Sequence, residues 1–249
     1  MRSLISWVIV LGCLCACTAP VKESVEQVAV EKSPLDGIWE GSFDIRGRGP
    51  YDFHAIHVDG RSTAVTLQAK AICVGSVSLD DSYYLAKYNL FALDGAPFDY
   101  ATITGELNQG TIKSHFVTLN GGDTGSLTIT YNDIYEHDSS LNLLAGNWSF
   151  TDRDGLVINL SIDENGSAQG RDSDQCEYAG QITIINANYN VYDVTLKINN
   201  CDSVNGEYKG LAYLETLDAE YFRIDVLNDY YGFHYDLQKK SDNNAVKEE

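Results

Sequence analysis

The chain has 249 residues, with 36 acidic side chains against 17 basic ones and a formal net charge of −19. A surface that acidic repels phosphate backbones and anionic headgroups, which removes the main driving force for nucleic-acid binding. With 44% hydrophobic and 11% aromatic residues, 16 Tyr and only 4 Pro, the composition excludes a disordered chain and favours strands, and the length suffices for two small domains, each with its own core.

Residues 1–16 hold one basic residue, Arg2, ahead of the apolar run LISWVIVLGCLCAC. That run is too short to span a bilayer and has the proportions of a signal peptide. Leu14-Cys15-Ala16-Cys17 resembles the lipobox of bacterial lipoproteins, with Cys15 where Ser, Thr or Ala is more usual. Val10-Leu11-Gly12-Cys13 fits the same pattern but leaves a shorter apolar run, so Cys17 is preferred over Cys13. The resemblance implies cleavage after Ala16 and a mature Cys17 carrying a diacylglycerol thioether and an amide-linked chain such as palmitate. Three acyl chains exceed what stable anchoring needs. Thr18 in place of Asp implies sorting to the outer membrane, lipid-anchored and facing the periplasm. Residues 17–34 then read as the lipidated end and a flexible tether, in which a helix over Glu23 to Glu31 is short for stability.

Residues 35–135 and 141–240 read as two β domains from an internal duplication, with 241–249 a disordered tail. Leu35-Asp36-Gly37-Ile38-Trp39 recurs as Leu144-Ala145-Gly146-Asn147-Trp148. Cys73 with Gly75 aligns with Cys176 and Gly180, Thr104-Gly105-Glu106 with Asn205-Gly206-Glu207, and Ile129 to Asp133 with Val226 to Asp229. Two copies suit tandem domains rather than a solenoid.

In the second copy, turn signals arrive every 8–12 residues. Asp154-Gly155 and Asn165-Gly166 read as type I′ hairpin turns around a strand in which Leu156, Ile158, Leu160 and Ile162 share a face. Tyr192 to Ile198 and Phe233 to Leu237 repeat the alternation, giving about eight strands with no helical period between them. The first copy supports a similar set, including strands at Ala64 to Ala69 and Tyr100 to Leu107. Sequential short-turn strands lose their edges by closing, so the expected fold class is all-β, as two tandem antiparallel up-and-down barrels. Gly37-Ile38-Trp39 and Gly146-Asn147-Trp148 resemble the Gly-x-Trp of the first strand in small lipocalin-like and avidin-like barrels. The likeness is one of fold.

Cys176 and Cys201 flank a strand pair and are the natural disulfide partners in an oxidising periplasm, closing a loop of about 25 residues worth roughly 3 kcal/mol. Cys73, in the apolar context AKAICVGS, reads as a buried thiol. His54 and His57 would point to opposite faces of a strand, so their spacing does not converge on a metal. His115, His137 and His234 read as ordinary surface or half-buried side chains. Asp152, Asp154, Asp163, Glu164, Asp172 and Asp174 read as hairpin-tip residues rather than calcium ligands. No nucleophile elbow, zinc helix or phosphate loop occurs, so no catalytic residue, metal or cofactor is assigned. Tyr83, Tyr84, Tyr88, Tyr178, Tyr189, Tyr192, Tyr208, Tyr213, Tyr221, Tyr230, Tyr231 and Tyr235 exceed the needs of a small core, so that some must face outward or line a mouth; strand propensity accounts for most of them, and the alternative is an aromatic recognition surface for a sugar, peptide or protein. The expected function is therefore non-enzymatic, binding an envelope protein, peptide or sugar. The alternative is a carrier holding a small apolar ligand in one barrel, which large inward side chains at Trp39, Trp148 and Phe150 would argue against.

Overall fold

A computed structural model describes residues 32–240. The signal segment, Cys17, nearly all of the tether and the tail lie outside the described residues. The chain forms two closed eight-stranded antiparallel barrels, each built from consecutive strands, as a tandem duplication would produce. The first comprises β1 Gly37–Ile45, β2 Arg48–Val58, β3 Arg61–Thr66, β4 Ala71–Asp80, β5 Tyr83–Ala92, β6 Pro97–Asn108, β7 Thr111–Thr118 and β8 Thr124–Asn132. The second comprises β9 Gly146–Thr151, β10 Val157–Ile162, β11 Ser167–Asp172, β12 Glu177–Ile184, β13 Tyr192–Asn199, β14 Gly206–Leu214, β15 Tyr221–Leu227 and β16 Gly232–Lys239. β1 closes on β8 with Trp39 opposite Tyr131, and β9 on β16 with Trp148 opposite Lys239.

Closure starts from the repeated Leu-x-Gly-x-Trp. In the first copy the Trp39 indole N–H donates to the Leu35 carbonyl at 2.9 Å, and in the second Trp148 donates to Leu144 at 2.7 Å. Both tryptophans and both leucines are buried. One pentapeptide thus brings an apolar plug and a large ring into each barrel and satisfies the one polar atom the ring carries. Alternation does the rest: Phe53, Ala55 and His57 on β2, or Tyr192, Val194, Leu196 and Ile198 on β13, point inward together. Where the wall bends, side chains give way. A Cβ on Gly75 would lie 1.8 Å from the Lys87 carbonyl oxygen, and one on Gly210 1.8 Å from that of Asp225.

The turn chemistry differs from expectation. At Gly155 and Gly166 only the glycine has positive φ, 92° and 81°. The Gly155 N–H donates to the Asp152 carbonyl and the Asp152 N–H to that of Leu156, the pattern of a type I turn followed by a left-handed residue. Asp152, Asp163 and Asp172 each accept two backbone N–H groups through Oδ1, two and four residues on. The acidic clusters are therefore hairpin-tip devices. The type I′ geometry occurs in the first barrel instead, at Arg46-Gly47, Asp59-Gly60 and Gln109-Gly110, where both residues have positive φ. Because Asp59-Gly60 makes that turn, β3 runs Arg61–Thr66 rather than from Ala64 to Ala69. One repeat pairing is also corrected: Ile129 to Asn132 lies on β8, the eighth strand of its barrel, whereas Val226 and Leu227 end β15, the seventh. The true counterpart of β8 is β16.

Cys176 and Cys201 form the disulfide, next to the cross-strand pair Glu177 and Asn199 of β12 and β13. Cys73 is free and buried. Maleimide applied to unfolded, unreduced protein should label Cys73 alone of these three; labelling of all three would refute the bridge. Reduction should cost about 3 kcal/mol of stability in urea. Trp148→Ala is expected to cost about 3–5 kcal/mol. Trp148→Phe, which keeps most of the ring but strands the Leu144 carbonyl, should cost about 1–2 kcal/mol, and an equal loss for both variants would contradict the role given to the indole N–H.

Candidate functional site at the junction of the barrels

The interiors offer little room for chemistry. Trp39, Tyr84, Tyr88 and Phe53 fill the first, and Trp148, Tyr192, Tyr208 and Phe222 the second, all buried. Within the first runs a polar chain. Ser62 Oγ lies 2.7 Å from the Tyr88 hydroxyl and 2.8 Å from His57 Nδ1, while His57 Nε2 lies 3.4 Å from the Tyr84 hydroxyl. Burial pushes the His57 pKa down to about 4, so the ring is neutral and accepts at one nitrogen while donating at the other. A serine beside a histidine is the geometry of an activated nucleophile. Here, however, Ser62 is 1% exposed and His57 0%, so the contact closes a hydrogen-bond inventory in a sealed core.

Parts of the outward faces of β2–β4 and of β14–β16 are buried as well, at Ile56, Val58, Thr63, Val65, Ile72 and Val74 and at Leu211, Tyr213, Arg223, Asp225 and His234, because the barrels pack side by side within one compact unit. Two apolar clusters make the seam. Ile38, Ile56 and Val58 meet Val191, Leu211 and Tyr213; Val65, Ile72, Val74 and Phe91 meet Leu227. Between them sits a charged cluster whose place follows from register: Thr63 lies opposite Ile56 on one side and Val74 on the other, and Asp225 opposite Leu211 and His234. Thr63 Oγ1 donates across the seam to Asp225 Oδ2 at 3.0 Å. His234 Nδ1 lies 2.6 Å from Asp225 Oδ1, and its Nε2 forms an ion pair with Asp236 Oδ2 at 3.1 Å, outside hydrogen-bond geometry. Arg223 donates from Nε to Asp236 at 2.7 Å and from Nη1 to the Tyr213 hydroxyl at 2.9 Å, and its Nη2 is ion-paired with Glu215. Glu40 Oε1 and His54 Nδ1 of the first barrel lie 3.6 Å apart nearby.

Burial alone would lower the His234 pKa, but the charges of Asp225 and Asp236 overcome it and raise it to about 9. Burial likewise opposes ionisation of Asp236, yet His234 and Arg223 hold its carboxyl well below the usual range. Burial raises Glu215, with Arg223 opposing. His234 is thus cationic at neutral pH and compensates carboxylates that would otherwise be buried unpaired.

Bordering the second apolar cluster, the outer wall of β5 and β6 faces the turn between β15 and β16 across a cleft of about 420 Å³. Phe98 and Tyr100, 53% and 54% exposed, stand on its β6 side. The register slips by one residue there, Asp99 facing Leu90 and Pro97 facing Phe91, so that Phe98 is a bulge. Asn89, Asn120 and Asp229 also line the cleft. Its walls are fixed. Asp99 accepts from the N–H groups of Asn120, Tyr100 and Gly121 at 2.8–2.9 Å, which pull its pKa down to about 2, and Asn228 Oδ1 accepts from Tyr230 and Tyr231 at 2.8 Å. The Gly232 N–H donates to the Gly95 carbonyl at 3.1 Å, joining the two sides.

The chain matches no family model, no curated protein and no solved structure. The fold and the cleft are therefore read on their own chemistry. Cys17 lies outside the described residues. His54 and His57 do face opposite ways, one into the seam and one into the core. Asp172 lies within 4.8 Å of both disulfide sulfurs, but its oxygens accept from Asp174, Cys176 and Tyr178, and the cysteines are bonded to each other. Half of the 16 tyrosines are core, Tyr84, Tyr88, Tyr192, Tyr208 and Tyr213 among them at no more than 2% exposure, whereas Tyr83, Tyr221 and Tyr230 are exposed. The residues that line the cleft, Phe98 and Tyr100, were not singled out by sequence, although Pro97 followed by two ring residues at alternate positions was a readable signal. His234 was read as ordinary; its partners, Asp225 and Asp236, are apparent only once β15 and β16 are paired.

The His234 contribution to stability is complete below about pH 6.5 and is lost as pH rises toward 9, because its folded pKa is raised. That of neutral His57 is complete above about pH 6.5 and lost as pH falls toward 4. Urea denaturation across pH should give a maximum near pH 6.5, each limb falling on the order of 1–3 kcal/mol. His234→Gln should flatten the alkaline limb and His57→Gln the acid one; unchanged limbs would overturn both assignments.

Proposed function

We propose that the chain is a non-enzymatic lipoprotein of the outer membrane, anchored through Cys17, that binds a partner on the outside of a rigid pair of barrels. The observation that carries this reading is the filling of both interiors. Trp39 and Trp148 are each 1% exposed, Tyr84 and Tyr192 each 0%, and Phe150 packs against the second core. An eight-stranded barrel can be packed by its own side chains or hold one small ligand, and rings of this size favour packing over the carrier alternative. Closed walls and a bonded seam supply the rigidity that a presenting scaffold needs. The lipobox-like Leu14-Cys15-Ala16-Cys17 supports the anchor.

The test is fractionation of bacteria fed labelled palmitate. The parent chain and Cys13→Ser should carry label in the outer-membrane fraction, and Cys17→Ser should lose it. Label that depends on Cys13 would move the anchor, and label on neither would remove it. Native mass spectrometry of the membrane-purified protein addresses the carrier: a stoichiometric apolar molecule would sink the packed-barrel reading.

A further inference from the structure

We propose that the cleft between the β5–β6 wall and the β15–β16 turn binds a neutral oligosaccharide, with Phe98 and Tyr100 as its stacking platform. The inference rests on the reading of an external binding surface and gives it a ligand class.

The lining argues for that class by what it offers. A pyranose has an apolar C–H face and a rim of hydroxyls that both donate and accept. Phe98 and Tyr100 lie two apart on one strand and leave about half of each residue in solvent, so ring faces are open to stack against apolar C–H surface. The amides of Asn89 and Asn120 each supply donors and an acceptor, and the Asp229 carboxylate supplies acceptors. Together these match hydroxyls of either polarity.

The lining also argues by exclusion. Asp99 and Asp229 line the cleft, among the described residues no cationic side chain does, and the whole chain carries −19. A phosphorylated, sulfated or carboxylated ligand would meet like charge without compensation. A lipid chain would strip water from Asn89, Asn120 and Asp229 without replacing their hydrogen bonds. A peptide cannot add as an extra strand, since both sheets are closed and present no free edge. The volume, about 420 Å³, falls within the range of small-ligand sites.

The cleft is also built before a ligand arrives. The three N–H groups held by Asp99 fix Tyr100 and Asn120, Asn228 fixes the opposing turn, and the Gly232–Gly95 hydrogen bond fixes the distance between the walls. Weak, exposed polar contacts need this preorganisation to yield measurable affinity.

The experiment is isothermal titration of the mature lipidated protein, in a detergent without a sugar headgroup. The probes are tetraoses of α-1,4-glucose, β-1,4-glucose, β-1,3-glucose, β-1,4-mannose and β-1,4-N-acetylglucosamine. At least one should bind saturably. Phe98→Ala and Tyr100→Ala should each weaken it about tenfold or more, and Tyr100→Phe should retain most of the affinity. The exposure of both rings predicts unchanged unfolding midpoints, and an altered midpoint would transfer the comparison to Asn120→Ala and Asp229→Ala, each expected to weaken binding at least threefold. Absence of binding by all five probes, binding indifferent to all of these substitutions, or tighter binding of a sulfated tetraose would overturn the proposal. With palmitate labelling still dependent on Cys17, such a failure would remove only the sugar; loss of the label, or an apolar ligand in the native mass, would instead remove the reading beneath it.

Discussion

Asp225 and His234 face each other at 2.6 Å across β15 and β16, on a surface that neither strand hides from water by itself. In an isolated barrel this pair would be an exposed contact of small value. The first barrel covers it, and with it Arg223 and Tyr213, so these groups lose solvent and must satisfy one another. They do so as a lattice set by strand register. Tyr213, Arg223 and Asp236 form one row across β14, β15 and β16, and Leu211, Asp225 and His234 form the next. Thr63 enters from the other barrel as the single hydroxyl aimed at Asp225 Oδ2. The apolar clusters on either side can close only with this lattice intact, and a wrong docking angle would leave charges buried without partners. The polar cluster thus fixes how the barrels meet, while the apolar clusters supply the attraction.

The period-two pattern made the barrels legible. Each inward set, such as Leu160 and Ile162 or Tyr235 and Leu237, needs only its own strand to be recognised. The outward sets were not legible, because alternation marks a residue as facing out without saying whether water or a second barrel awaits it. Hence the sequence marks His234 as an ordinary surface or half-buried side chain. The tyrosines divide by the same rule: an eight-stranded barrel of short strands takes rings of large volume to fill, so Tyr84, Tyr88, Tyr192 and Tyr208 lie inside, while Tyr83, Tyr221 and Tyr230 face out. Turn type failed where dipeptides were read without their flanks. Asp-Gly and Asn-Gly serve both type I′ turns and the longer loops that end in a left-handed glycine. An aspartate two residues earlier, as at Asp152 and Asp163, selects the latter by taking two backbone N–H groups.

The two copies have diverged in how they secure the same shape. The first relies on tight type I′ turns and long strands, β6 spanning Pro97–Asn108. The second has shorter strands in its first half, β9, β10 and β11 of six residues each, and secures them with aspartate-capped loops and the Cys176–Cys201 bridge. The aspartate-capped loops follow each of those short strands, and the bridge ties one end of the fourth and fifth strands of that barrel, β12 and β13. Leu-x-Gly-x-Trp does the same work in both copies: a buried leucine and a buried ring joined by one hydrogen bond.

Fusion of the copies created a surface that neither has alone. Phe91 and Leu227 belong both to the seam and to the lining of the cleft, so the charges that set the docking of the barrels also set the separation of its walls. Phe98 and Tyr100 come from one copy, Asn228 and Asp229 from the other. An interior packed with rings leaves little room inside for a ligand, and on the outside a concave surface requires two convex bodies. Closing each barrel removed the sheet edges as docking places; under the function proposed above, the groove where the two walls meet takes their place.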